Sequence, residues 1–303
     1  MLTRGGSHNI WEDTNMAGAI RNPLQWGVDG LGESVEAFGA ANHSLRRPAT
    51  EYETTRPRVR RIGLGDLGIA LRLGIDDFLA ARTDVLFIGL IYPLAGLILW
   101  AMTLHENMIP LLFPLTAGFA LMGPFLALGL YELSRRREAG EIATWEAAMG
   151  AFATPSGGAI LRLGLILTAL FAAWLLTAMA IYGSIYGWET PTSLRAFAED
   201  VLGTRRGGEL ILYGCGAGFL FALVALSISV ISFPLLLDRK LRVRTAVAAS
   251  VRAVAKNPVP MLAWGALVAA LLVLGSLPLL MGLILVLPIL GHSTWHLYRR
   301  VIV

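Results

Sequence analysis

A chain of 303 residues that is 55% hydrophobic, has a mean hydropathy of +0.63 and carries charge at only 15% of its positions does not read as a soluble domain, in which about 25% of residues are charged. Its formal net charge of +4 does not call for nucleic acid, because the basic residues are placed as a membrane topology places them. The single cysteine, Cys215, excludes an internal disulfide, a CxxC pair or a cysteine-based zinc site.

Residues 1–57 form a polar cytoplasmic tail with one amphipathic helix. Asn22 followed by Pro23 is a helix start. Leu24, Val28, Leu31, Val35 and Phe38 then recur at helical spacing and make one narrow apolar stripe, with Asp29, Glu33 and Glu36 off it. Gly27, Gly30 and Gly32 weaken this helix, each by about 0.8–1 kcal/mol against Ala, so it needs a surface to lie on. Its acidic polar face suits a protein better than anionic lipid, which makes the stripe a partner-docking surface. Residues 42–57 read as a polar linker.

Residues 58–303 read as the membrane domain. A second amphipathic helix spans 64–82, with Leu64, Leu67, Leu71, Ile75, Phe78 and Leu79 on one face and Asp66, Asp76 and Asp77 off it. It leads into a first span at 85–104, which begins too far in for a secretory signal peptide. A short outer turn, 105–107, precedes a second span at 109–131 that meets Arg135, Arg136 and Arg137. The third and fourth spans cover 161–186 and 210–237, with the one sizeable outer loop, 187–208, between them. The apolar stretch 259–298 would be about 60 Å long as a single helix, twice the hydrocarbon core, so it is a hairpin turning near 275–278. The expected fold is therefore an all-α polytopic bundle of six transmembrane helices with short interfacial helices.

With both termini placed in the cytoplasm, all but Arg162, Arg195, Arg205 and Arg206 of the 25 Lys and Arg fall on cytoplasmic connections, the positive-inside pattern of a multi-pass protein of a bacterial inner membrane. The same alignment suggests three parallel repeats of interfacial helix, span and span. The interfacial stripes are 64–82, then Trp145, Ala148, Met149 and Phe152, then Val247, Val251 and Val254. Pro124, Pro234 and Pro288 precede the basic exits of the even spans. Polar flanks are also what any hairpin entering and leaving on one side would show.

Little chemistry is visible. His292 and His296 are four apart and share a helix face, where they could meet a metal or a haem edge. No third ligand is evident, and the neighbouring Trp295, Tyr298, Arg299 and Arg300 are ordinary residues of a membrane interface, so interfacial hydrogen bonding is the expected role. Glu132 and Asp238 each close an even span beside arginines and are expected to pair with them at the boundary; with the two histidines they form one candidate polar interface cluster. Arg162 is expected to snorkel to the headgroups. The span middles hold hydroxyls such as Thr168, Thr177, Ser227 and Ser229 but almost no ionisable group, whereas transporters and pumps usually place such groups at membrane depth. Gly214, Gly216 and Gly218 around Cys215 suggest close helix contacts, expected within the bundle rather than between copies. Walker, HExxH and GxSxG patterns are absent. Five histidines, three of them outside the spans, exclude the catalytic subunit of a haem-copper oxidase.

Several segments resemble a bacterial family of integral membrane proteins known as domain of unknown function 2189: Arg61-Ile-Gly-Leu-Gly-Asp-Leu, Ala117-Gly-Phe-Ala-Leu-Met-Gly-Pro-Phe, Gly129-Leu-Tyr-Glu-Leu-Ser-Arg-Arg-Arg-Glu, Ser232-Phe-Pro-Leu-Leu-Leu-Asp-Arg, Ala255-Lys-Asn-Pro-Val-Pro-Met and Gly291-His-Ser-Thr-Trp-His-Leu-Tyr-Arg-Arg. The resemblance extends over about 58–303. It implies no activity and transfers no functional residue, though some members carry the label of cytochrome c oxidase subunits. The expectation is a non-catalytic accessory or scaffold subunit of a larger respiratory or other energy-transducing complex. It would contact lipids and other subunits, such as those of a cytochrome oxidase, and no catalytic, cofactor or metal residue is assigned. A transporter or channel for a small, weakly polar solute is the alternative, and a haem- or metal-binding electron-transfer protein the second.

Overall fold

A computed structural model of the protein describes residues 56–80, 96–97, 101, 109–142, 156–187, 189–278 and 280–303. The tail stripe from Leu24 to Phe38, most of the first expected span, and the stripe of Trp145, Ala148, Met149 and Phe152 lie outside the described residues. Within them every regular element is helical, apart from an isolated antiparallel bridge between Val59 and Ile302.

Helix α1 (Leu64–Ala80) opens with Asp66 reaching back to accept the amide of Gly63 at 2.9 Å, the carboxylate half of a capping box. Its buried face is rotated from the expected stripe. Leu67 and Phe78 are buried, as are Ala70, Gly74 and Asp77, while Leu64, Ile75 and Leu79 are exposed. The rotation follows from Asp77, which has partners to meet inside.

The stretch expected to be the second span is a chain of short pieces: a 3-10 turn at Ile109–Leu111, α2 (Leu112–Leu121), α3 (Gly123–Leu126) and α4 (Leu128–Glu138). Pro124 lacks the amide that would continue the ladder, and its ring crowds the preceding turn. Helix α5 (Gly157–Tyr186) is long, unbroken and ends at Gly187, whose φ of 68° suits a residue without a side chain. The connection between α5 and the next long helix contains a helix that the sequence reading did not single out, α6 (Leu194–Gly203), capped by Ser193, whose Oγ accepts from the Ala196 amide at 3.1 Å. Thr204 likewise caps α7 (Arg205–Ser229). A break at Val230 and Ile231 precedes α8 (Ser232–Asp238), again just ahead of a proline, Pro234. Helices α9 (Val243–Lys256), α10 (Pro258–Ser276) and α11 (Leu283–Val301) complete the chain. The hairpin turn falls between the end of α10 at Ser276 and the start of α11 at Leu283, later than expected. It brings Gly275 and Gly282 backbone to backbone, where a Cβ on Gly282 would lie 2.7 Å from the Gly275 Cα.

Among the described residues three helical stretches are long and apolar enough to cross a membrane: Gly157–Tyr186, Arg205–Asp238 and Pro258–Ser276. The apolar helix at Ile109–Gly118 is shorter. Helix α11 differs because its second half, from His292 to Arg300, is polar.

Packing brings α4, α8 and the C-terminal half of α11 together. Helix α4 lies on α11 so closely that a Cβ on Gly291 would meet Leu130 Cδ1 at 2.5 Å. Helix α8 touches both. Helix α1 runs antiparallel to α11, from the Val59–Ile302 bridge past Asp66 and Arg300 to Gly74, where a Cβ would lie 2.5 Å from the Ser293 amide nitrogen. Helix α5 packs on α2 and α7, with Trp174 donating to the Pro114 carbonyl at 2.8 Å and lying against Gly218 and Phe221. Helix α9 lies on α7 and α8, where the Ser250 hydroxyl accepts from the Ile231 amide at 3.2 Å, a donor released by the helix break. Large buried side chains, among them Tyr131, Leu163, Phe233, Trp264, Trp295 and Tyr298, fill the space between.

Candidate functional site

The polar side chains that most need partners collect in one layer where α1, α4, α8 and α11 meet. Asp77 is at its centre, 7% exposed. Its Oδ2 accepts the Ser134 hydroxyl at 2.5 Å and His296 Nε2 at 2.8 Å, and its Oδ1 lies 3.0 Å from Arg137 Nη1. Arg137 also donates to the Asp76 carbonyl at 2.7 Å, which clamps the C-terminal end of α1. Burial alone would raise the Asp77 carboxyl, but the hydrogen bonds from His296 and Ser134 outweigh it and hold the group below its usual range.

The proton positions follow from this geometry. Ser134 has one hydroxyl hydrogen, and Asp77 takes it. His292 Nδ1, 2.7 Å from Ser134 Oγ, is then left to donate to that oxygen, which assigns a proton to Nδ1. His292 Nε2 is buried without a partner among the described residues. Serine, histidine and aspartate therefore meet here, but in an order opposite to that of a nucleophilic triad. Activation of a serine needs its hydroxyl to donate to the imidazole, with the carboxylate behind the ring. Here the serine lies between the two.

Around this centre the other charges pair off. Glu132, 2% exposed, accepts from Arg135 Nε and Nη2 and from Arg136 Nε, each at 2.7 Å. Asp238 accepts the Tyr298 hydroxyl at 2.5 Å and lies 3.8 Å from Arg299 Nη1. Glu138 accepts from Trp295 Nε1 at 3.0 Å and from Arg299 Nε at 2.9 Å. At the far end of α1, Arg300 donates to Asp66 at 2.8 Å. The amide of Gly63 and the guanidinium of Arg300 hold that carboxyl low.

Of the four residues singled out from the sequence, His292 and His296 converge on one knot through Ser134 and Asp77. Asp238 belongs to a second knot on α11, and Glu132 is held by arginines of its own helix. The sequence reading assigned Asp77 to a polar face and did not single out Ser134 or Glu138. The available signal was Gly74, a glycine three residues before Asp77, because glycine inside a helix often marks a close backbone approach. The glycines around Cys215 do not share one face. Gly218 sits beneath Trp174, while Gly214 and Gly216 meet nothing within 4 Å and Cys215 is exposed; positions two apart on a helix differ by about 200°. Groups of three or more His, Cys, Asp or Glu able to hold a metal are absent among the described residues.

Residues 112–238 match the model of a family described as predicted integral membrane protein (DUF2189). The match runs from the start of α2 to the end of α8 and shows the resemblance over that stretch, including Ser134, Glu132 and Asp238. Neither a curated protein nor a solved structure matches the chain.

Proposed function

We propose that this integral membrane protein is a non-catalytic accessory or scaffold subunit of a larger complex in a bacterial inner membrane, most simply an energy-transducing one. The observation that carries the non-catalytic reading is the hydrogen-bond order at Ser134. Its hydroxyl donates to Asp77, and a hydroxyl with its one hydrogen so used has none for His292 Nδ1, 2.7 Å away. Support for a role inside an assembly comes from α7, whose outward side exposes Ile211, Leu212, Phe219, Leu220 and Val224, with open space over Gly208 and Gly216 where another transmembrane helix can approach closely. The tail stripe of Leu24, Val28, Leu31, Val35 and Phe38 would add a second contact at the cytoplasmic surface. The respiratory assignment leans on the labels of some members of the family it resembles.

In the same reading the membrane domain has six spans in three repeats, with both termini cytoplasmic. The packing of α9 on α7–α8 and of α1 on α11 supports it, since each interfacial helix then rests on an even span of a different repeat. A photo-reactive residue placed at Leu212 or Phe219 in living cells tests the assembly. Discrete protein adducts are expected, and adducts with lipid alone would remove α7 as a docking face.

A further inference from the structure

Outside the polar layer, a shallow recess of about 730 Å³ lies between residues 56–59 and α9. Four cations line it, Arg56, Arg58, Arg252 and Lys256, and no acid does. Among the described residues no carboxylate lies within ion-pair distance of any of the four, whereas Arg60, Arg299 and Arg300 nearby in the fold all have carboxylate partners. Four like charges gathered around one hollow repel each other, and an anion placed between them relieves that repulsion.

The recess is built rather than incidental. Lys256 Nζ donates to the Val59 carbonyl at 2.7 Å. Buried Asn257 receives the Ile62 amide on Oδ1 at 2.8 Å and donates from Nδ2 to the Arg60 carbonyl at 3.1 Å. On the other edge the Val303 amide donates to the Arg58 carbonyl at 3.0 Å. The backbone carrying two of the cations is thus fixed against the helix carrying the other two.

Its location selects the ligand. Lys256 lies two residues before Pro258, the first residue of a membrane-length helix. Close in the chain to the lining residues Arg252, Ala255 and Lys256, Val251 on α9 and Val259 and Leu262 near the start of α10 are exposed apolar side chains. We propose that the recess binds an anionic phosphate group, and that its occupant is the headgroup of an acidic phospholipid whose acyl chains lie along the outer side of α10. Juxtamembrane basic clusters attract such lipids. Exposed apolar side chains so close to the cations in the chain favour a lipid over free phosphate, which would use the cations alone.

The test uses the full-length protein, delipidated in neutral detergent, with phosphatidylglycerol, phosphatidylcholine or inorganic phosphate added in parallel. Bound lipid is counted by native mass spectrometry, and stabilisation is read as a shift in apparent Tm. The variant Arg56→Gln/Arg58→Gln/Arg252→Gln leaves the Lys256 and Asn257 contacts in place. Arg195→Gln/Arg205→Gln removes charge from the opposite loop and serves as the control. Retention of phosphatidylglycerol over phosphatidylcholine, with affinity falling about tenfold or more in the triple variant and not in the control, supports the lipid site. Stabilisation by inorganic phosphate that the triple variant loses, without retained phosphatidylglycerol, keeps the anion site and overturns the lipid as its occupant. Equal phosphatidylglycerol retention by wild type and triple variant, or equal loss in the control, overturns the proposal.

Discussion

Gly74→Ala separates the backbone-to-backbone packing of α1 and α11 from ordinary helix propensity, because the two act with opposite sign. In a helix interior, Gly→Ala is stabilising by about 0.8–1 kcal/mol. At Gly68, on the same helix, a Cβ would meet nothing within 4 Å, and Gly68→Ala should show that gain. At Gly74 the new Cβ would collide with Ser293 Oγ and lie 2.5 Å from the Ser293 nitrogen and 2.7 Å from its Cα. Backbone atoms cannot swing away, so the helices must separate. Overpacking of this kind costs about 1–3 kcal/mol, and separation also stretches the 2.8 Å bond from His296 to Asp77. The clash should therefore exceed the propensity gain. Apparent Tm, followed by tryptophan fluorescence of the detergent-solubilised protein, should rise for Gly68→Ala and fall for Gly74→Ala. Ser293→Gly should recover only part of the loss, since the backbone contact persists. If Gly74→Ala matches Gly68→Ala, the close approach of α1 to α11 is wrong.

The acid response follows from Asp77. Its carboxyl is held below the ordinary 3.8, so its contribution is complete above that value and is lost as pH falls through the lower folded value. Apparent Tm should fall more steeply below about pH 4 for the wild type than for Asp77→Asn; parallel curves would mean that Asp77 contributes nothing. His292→Ala combined with His296→Ala should lower stability, because Asp77 loses the His296 donor and Ser134 its His292 partner, and a buried polar group left without its partner costs about 1–3 kcal/mol. Metal and haem content of the purified protein should not change, and loss of a stoichiometric metal would move the histidines from structural ties to ligands. Single cysteines in a Cys215→Ser background, read with a membrane-impermeant reagent, should label from outside at Glu199 and not at Arg244; labelling from outside at Arg244 would invert the topology.

The long apolar helices were legible because composition suffices for them. The run that became α5 and the one that became α10 contain no acidic residue, and their lengths match a bilayer core. The interruptions near Pro124 and Pro234 fit the missing amide and crowding ring of proline, whereas α11 runs on unbroken through Pro288. Helix α6 was not read, although Ser193 offers a cap and Leu194, Phe197, Val201 and Leu202 recur at helical spacing, because ten residues between two long apolar runs pass for a connecting loop. The polar layer was legible by halves. His292 and His296 were visible as a pair through their spacing, and Glu132 and Asp238 through their position beside arginines. Asp77 was hidden because periodicity ranks residues by polarity and cannot see a partner that arrives from α4 and α11, far away in the chain. The stripe on α1 was therefore drawn about one residue off its true face.

The central claim, that this chain works as a subunit rather than alone, is tested most directly by native mass spectrometry of the full-length protein and of a form lacking residues 1–45, each extracted gently from its own membranes. The account predicts a stoichiometric assembly with other membrane proteins for the full chain, and weaker or absent association for the truncated one although it still inserts. A full-length chain that leaves the membrane with lipids only, as a folded monomer or as copies of itself, would contradict it.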